Sequence, residues 1–288
     1  LETMKRHNKL NGHDALMRQI ALYKQAADME DDLLVRAQVN QRFREFFLNY
    51  GMVPEAIAVA EAYVEYAPTI STYLRDRRDE ALANASWLKG VTSPGNDAIN
   101  ELARLVALKP QNYELRKQYA EVLASQGKHK EALETLEQAH RILTAAGSPR
   151  ADYMVRMAVY QLQLQNKAAA LAAIQPVLEG KLQLPATEKH LLVPVLAGLG
   201  LRQEARTAFK NLPRPTTVVE QANVLSVRGR MYEERGKLNS AIHTYENSLL
   251  LYPYQMEIRQ RLVRLLKQKG RTKDADNVAL AGEQLAQP

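Results

Sequence analysis

The sequence of 288 residues contains no cysteine. Disulfides, thiol chemistry and thiolate metal sites are therefore excluded, while the compartment stays open, with a slight preference for an oxidising one. Aromatic residues make up only 6 % of the chain, although hydrophobic residues reach 46 %. Small and medium apolar side chains must therefore supply most of the core, which favours helices packed at close approach.

Long apolar runs are also missing. No stretch reaches the roughly 18 residues that a membrane-spanning helix needs, and no signal peptide is visible. The chain opens with LETMKRHN, without an initiator methionine. We therefore expect a fragment of a longer protein. The net charge of +7 favours acidic partners weakly.

A glycine followed by an alanine five residues later occurs five times. The intervals between these glycines are 76, 73, 36 and 34 residues, which correspond to one or two units of a period in the mid-thirties with small insertions. Such a period predicts a stack of helix pairs. The glycines are Gly51, Gly127, Gly200, Gly236 and Gly270, and the alanines are Ala56, Ala132, Ala205, Ala241 and Ala275.

The unit is clearest at residues 222–255. Its first helix ends at a glycine, which enters the left-handed conformation without strain, and a proline ends the second helix. Small residues on the two helices allow a close crossing, and a tyrosine then fills the gap toward the next unit. The positions that carry this pattern are Gly229, Tyr232, Gly236, Ala241, Tyr245 and Pro253.

This pattern resembles the tetratricopeptide repeat. The resemblance extends over about nine-tenths of the chain and implies an all-α, right-handed superhelical solenoid of antiparallel helix pairs, with seven to eight repeats. We expect a partial N-terminal repeat or capping helix at 1–36 and repeats at 37–146 with an insertion near 69–78. Further repeats are expected at 147–288, most regular from 186 onward.

No catalytic constellation is apparent. The six histidines show no metal-ligand spacing on one helix face, and the glycines are isolated at helix joints rather than grouped in a phosphate loop. We therefore predict a protein without enzymatic activity, cofactor or metal.

The densest basic run covers residues 256–273. It carries seven lysines and arginines against Glu257, on a helix with an apolar inner face. A solvated outer face is the simplest interpretation, an acidic protein partner the second and nucleic acid the third. Nucleic acid ranks last because the run lacks aromatic stacking platforms.

The resemblance also implies a concave groove, lined by the first helix of each pair, that binds extended peptides or partner helices. Two patches are candidates for partner binding, although the tyrosines among them could instead pack against the neighbouring unit. The candidates are Tyr153, Arg156 and Tyr160 on one helix, and Arg230, Arg261, Arg264 and Lys267 further on.

We expect a scaffold for protein–protein interaction, as part of a bacterial envelope or secretion assembly that recruits a partner protein. Some bacterial exopolysaccharide export proteins resemble this arrangement, with a long repeat region in the periplasm. A periplasmic segment of such a protein, in contact with the polymer or its modifying enzyme, is the alternative, and an RNA-binding helical repeat is the second. The localisation stays uncertain between periplasm and cytoplasm, with the periplasm favoured.

Overall fold

A computed structural model describes residues 33–66, 72–92 and 95–286, and in them the chain is an all-α superhelical repeat protein. Of the partial repeat predicted at 1–36, residues 1–32 lie outside the described residues. None of the helices in the described ranges is long and apolar enough to cross a bilayer.

Fourteen helices lie in this part of the chain and form seven consecutive pairs. The first three pairs are α1 (Leu33–Asn49) with α2 (Val53–Tyr66), α3 (Thr72–Thr92) with α4 (Asn96–Leu108), and α5 (Tyr113–Ser125) with α6 (His129–Ala145). The fourth and fifth are α7 (Ala151–Gln163) with α8 (Lys167–Leu178), and α9 (Lys189–Gly198) with α10 (Arg202–Lys210). The last two are α11 (Val218–Glu234) with α12 (Leu238–Leu251), and α13 (Met256–Gln268) with α14 (Thr272–Ala286).

The five glycines of the repeat lie at the turns within the pairs, as predicted. Their φ angles fall between +69° and +86°, a region that side chains disfavour and glycine enters freely. The alanine five residues after each glycine is at most 3 % exposed. A larger side chain at these positions would hold the two helices of a pair apart, so the motif encodes both the reversal and the close crossing.

The fourth pair makes its turn without glycine. Gln165 takes the left-handed conformation, with φ of 62°. The side chain of Asn166 then accepts a hydrogen bond from the backbone N–H of Ala169, at 3.3 Å, and caps α8. A side-chain cap of this kind satisfies one of the free N–H groups at a helix start.

Two departures from the regular repeat distinguish the described chain. The expected insertion near 69–78 is helical from Thr72, so that α3 extends over 21 residues. The fifth pair has helices of only 10 and 9 residues, and Pro194 lies inside the first of them. This short pair lies within the region that the sequence pattern marks as most regular, from 186 onward, and Pro194 lacks the backbone N–H that a continuous helix requires.

The first and sixth pairs meet across the superhelix. Tyr252 and Tyr254, in the loop between α12 and α13, pack against the apolar cluster of the first pair, which includes Phe43, Phe47 and Met52. Helix α1 also contacts α11. Two pairs that are far apart in the sequence are therefore in contact.

Candidate functional site: a charged ladder along the groove

A row of hydrogen-bonded side chains connects the first helices of four consecutive pairs. Trp87 on α3 donates its indole N–H to Glu121 on α5, at 2.8 Å. The other oxygen of Glu121 accepts from Nε of Arg156 on α7, at 2.8 Å. Arg156 also reaches Glu188, which directly precedes α9, at 3.1 Å. These residues lie about one repeat apart, so stacking of the units places them side by side.

Glu121 and Glu188 hold the Arg156 guanidinium between them. The side chain of Arg156 is only 14 % exposed. Burial alone would lower its pKa, but the charges and hydrogen bonds of the two carboxylates outweigh burial and raise the pKa above its ordinary value. The guanidinium is therefore a fixed charge in the middle of the ladder.

The ladder has a second part in the last two pairs, a cluster of arginines around two glutamates. Arg230 lies 2.7 Å from Glu257, and Arg261 lies 3.1 Å from Glu257 and 3.4 Å from Glu233. Arg264 forms a further ion pair with Glu233. Burial would raise the pKa of Glu257, but Arg230 and Arg261 outweigh it and lower the pKa. The arginines are thus held in one arrangement before any partner arrives.

His190 occupies the gap between the two parts of the ladder. Its Nδ1 lies 2.8 Å from the carbonyl oxygen of Thr187. Burial lowers the pKa of His190, and the charges of Arg156 and Arg230 lower it further, against the opposing effect of Glu188. The folded chain therefore keeps this imidazole neutral.

This depressed pKa predicts an acid-sensitive fold. As the pH falls below about 6.5, the ordinary imidazole pKa, the unfolded chain binds the proton more readily than the folded chain. Stability is then lost until the pH reaches the folded-state pKa of His190. We expect His190→Gln to flatten the decline in free energy of unfolding between about pH 7 and 5, measured by urea titration with circular dichroism. His243→Gln is the control, because His243 is exposed on α12. An equal pH dependence of the free energy of unfolding in H190Q and in the parent would contradict the assignment.

The two candidate tyrosines lie inside the stack rather than in the groove. Tyr153 is fully buried, and its hydroxyl donates to the carbonyl oxygen of Tyr113 and to Glu114, both at 3.2 Å. Tyr160 is 6 % exposed. Burial raises the pKa of both phenols. The structure therefore places these rings as packing residues, which was the alternative interpretation of the sequence.

The remaining candidate arginines each form an ion pair with a glutamate of another helix, which the sequence did not indicate. Arg156, Arg230, Arg261 and Arg264 all belong to the ladder, and Lys267 lies exposed one turn beyond Arg264 on α13. Glu188 was missed, because no repeat motif includes it. Its spacing from Arg156, close to one repeat, was the only available signal.

A polar cavity of about 470 Å³ opens between the first three pairs. Its wall carries five carboxylates against the two cations Arg44 and Lys109. Lys109 pairs with Asp76 at 2.7 Å and with Asp79 at 2.9 Å. The cavity therefore has a negative charge, opposite to that of the arginine cluster.

Within residues 33–66, 72–92 and 95–286, no three histidine, aspartate or glutamate side chains are placed to hold an ion. The absence of a cofactor stays a prediction.

Comparison with known proteins agrees with the repeat architecture. A family model described as tetratricopeptide repeat matches residues 95–142, which contain α4, α5 and most of α6. Comparison with curated proteins finds no match. Among solved structures, a chain of the APC/C hetero-tetramer Cut9–Hcn1 is similar over 97 % of this chain and 60 % of that chain, with 14 % identity and a TM-score of 0.50.

A tetratricopeptide repeat is therefore matched at residues 95–142, and the similarity to the solved chain supports the superhelical repeat fold. The chain spans about 60 % of the length of the solved chain that it matches. Repeats of this kind support a scaffold for protein–protein interaction, and the fold is generally non-catalytic.

Proposed function

We propose that the protein is a non-enzymatic scaffold whose groove holds an acidic segment of a partner protein at its C-terminal end. The observation that carries this proposal is the arginine cluster of Arg230, Arg261 and Arg264, held in place by Glu233 and Glu257. Ion pairs that fix side chains in advance reduce the conformational entropy lost on binding.

The charge of the cluster favours an acidic segment. Three arginines and Lys267 face two glutamates, so positive charge remains after the internal pairs form. The side chain of Arg264 is 61 % exposed, and Lys267 is exposed as well. Arginine is enriched among the residues that contribute most to interfaces. An incoming carboxylate would therefore meet charges that the scaffold does not neutralise itself.

The acidic cavity would influence how a bound acidic segment is oriented. Its five carboxylates would repel an acidic segment from the first three pairs, while the arginine cluster attracts it to the last two. Complementary charge of this kind governs association rate and orientation more than affinity. The groove would thus accept the partner in one orientation.

The setting that we propose, a bacterial envelope or secretion assembly in the periplasm, rests on the sequence resemblance. Contact with an exported polysaccharide ranks below a protein partner, because the aromatic rings that would stack on sugars are not presented in the groove. Tyr153 and Tyr160 are buried, and Trp87 uses its N–H for Glu121. RNA binding ranks lower for the same reason, since stacking on aromatic rings carries single-strand recognition.

Charge reversal at the two exposed cations tests the proposal. We expect Arg264→Glu with Lys267→Glu to weaken binding of a fluorescein-labelled poly-L-glutamate peptide by at least about tenfold, which equals about 1.4 kcal/mol. The measurement is fluorescence anisotropy at low and moderate salt, because a contact between exposed charges weakens as salt screens it. Affinity capture from a lysate of the source cell, with the parent and the variant in parallel, extends the test to natural partners.

The matched control reverses two exposed cations on the second helix of another pair. Lys130→Glu with Arg141→Glu on α6 gives the same net charge and should bind within about twofold of the parent, since surface charges far from the contact have small effects. If both variants lose peptide affinity equally, net charge alone would explain the effect. The assigned site would then be wrong. Preference for RNA or polysaccharide over the acidic peptide would overturn the scaffold proposal.

A further inference from the structure

The contact between the first and sixth pairs is formed by one turn and one loop. The turn contains Gly51, whose φ is +72°, and the loop contains Tyr252 and Tyr254. The Tyr252 ring lies directly on Gly51, because a Cβ atom at position 51 would be 3.3 Å from Tyr252 Cδ2 and 3.7 Å from the carbonyl oxygen of Leu251. Glycine at this turn therefore serves two purposes, the left-handed backbone and the close approach of the tyrosine.

Both tyrosines are partly buried by this contact. Their ring centroids are 5.7 Å apart, and they extend the apolar cluster of the first pair, in which Phe47 and Val53 are at most 2 % exposed. Burial raises the pKa of Tyr252 to about 12. Burial also raises the pKa of Tyr254, and the nearby charge of Glu55 raises it further.

The contact is unusual for a stack of repeats. Each unit of such a stack normally contacts only its neighbours, whereas here two units five positions apart touch. Neighbouring pairs pack along their helices, whereas the first and sixth pairs meet at this turn, this loop and a small α1–α11 contact. Regions with few buried contacts open at low free energy, so we expect this junction to open more easily than the contacts between neighbouring pairs.

We propose that the α12–α13 loop is a latch, in which Tyr252 and Tyr254 hold the first pair and close the superhelix into a ring. The concave face then lines the inside of the ring, and a partner segment enters the groove when the latch releases. The closure of the ring is inferred from the described contacts alone. The control of partner entry by the latch rests in addition on the function proposed above.

Gly51→Asn opens the latch from the side of the first pair. Asparagine tolerates the left-handed conformation better than most residues, so the turn is retained while the added side chain meets Tyr252. Gly236→Asn is the matched control, because Gly236 has a similar φ of +69° and open space around its Cβ position. Both variants carry the same backbone cost, and only the first disturbs the contact.

Electron spin resonance between two labels measures the closure. The sequence has no cysteine, so Ala62→Cys on α2 and His243→Cys on α12, both at exposed positions, accept spin labels without background. We expect a narrow distance distribution in the parent and in G236N. In G51N it should broaden and move outward by roughly one helix diameter, ~10 Å.

A second pair of variants approaches the latch from the loop. Y252S/Y254S removes the rings and should open the ring as G51N does, while Y252F/Y254F keeps them and should stay closed. Circular dichroism confirms that each variant retains its helices. A broad distribution in the parent, or an unchanged one in both G51N and Y252S/Y254S, would overturn the latch.

Stopped-flow association with labelled poly-L-glutamate tests the control of entry. Opening should raise the association rate at least about threefold in G51N relative to G236N, because a binding-competent state of low population reduces the apparent affinity in proportion. Equal rates in an opened variant would overturn the gating. If no variant binds the peptide, the proposed function would be refuted. The spin-label distances would still test the closure independently.

Discussion

Replacing Gly229 by alanine is expected to cost about 1–2 kcal/mol of stability, since overpacking this tightly filled crossing lies near the upper end of the 1–3 kcal/mol typical of such changes and the gain in helix propensity returns about 1 kcal/mol. A Cβ atom at position 229 would lie 2.4 Å from Cε1 and 2.5 Å from Cδ1 of Tyr245. Tyr245 cannot move aside easily. It is fully buried, and its hydroxyl donates to Glu233 at 2.8 Å. The substitution therefore strains the crossing of α11 and α12.

The effect should reach the groove as well as the core. Glu233 accepts hydrogen bonds from Tyr245 and pairs with Arg261 and Arg264. A displaced tyrosine ring would therefore move a carboxylate that positions the arginine cluster. We expect G229A to weaken binding of the acidic peptide in addition to lowering the midpoint of urea unfolding.

A double-mutant cycle identifies the cause. Tyr245→Leu vacates the space that the new methyl group needs, so the loss in G229A/Y245L should be smaller than the sum of the single losses by about 1 kcal/mol or more. Additive losses would show that the clash with Tyr245 is not the reason for the destabilisation.

Arg156→Met is expected to cost about 2–3 kcal/mol, somewhat less than the 3–5 kcal/mol typical of a broken buried ion pair. The substitution leaves the carboxylates of Glu121 and Glu188 close together without the cation between them. Both glutamates retain about a fifth of their surface in water, at 20 % and 23 % exposure. Solvent therefore relieves part of the penalty.

Trp87 reports on this change directly. It is the only tryptophan of the sequence, and its indole N–H donates to Glu121. We expect a shift in its fluorescence emission in R156M, together with a lower free energy of urea unfolding followed by circular dichroism.

Two further variants separate the ladder from general effects. Arg104→Met removes a surface arginine that is 53 % exposed and pairs with Glu101, and should change stability by about 0.5 kcal/mol or less. R156M/E121Q/E188Q removes the stranded charges and should recover most of the loss. Failure of the triple variant to recover, with R104M unchanged, would show that Arg156 stabilises through packing rather than charge.

The repeat motif shows how much of the fold was accessible from the sequence. Local constraints predicted the turns at Gly51 and Gly127 and the close crossings at Ala56 and Ala132, because a left-handed turn and a tight helix contact each admit few residue types. The turn at Gln165 was not predictable in the same way. A non-glycine residue there adopts the conformation that the surrounding pair requires.

The candidate site was accessible only in part. The resemblance marked Arg156, Arg230, Arg264 and Lys267 as groove residues by their positions within the repeat, with Arg261 alongside. It did not show that glutamates pair with all four arginines. It also left open whether Tyr153 faces the groove or the neighbouring pair, because one helix face of a solenoid touches both.

The sequence by itself determined the local unit: glycine turns, small residues at the crossings and a period that requires stacking. Tertiary structure alone decided which side chains of different units meet. The ladder from Trp87 to Arg264 depends on the rotation between successive pairs, and the seating of Tyr252 on Gly51 depends on that rotation summed over the superhelix. Such angles arise from packing across many interfaces at once, and no single segment of the sequence encodes them.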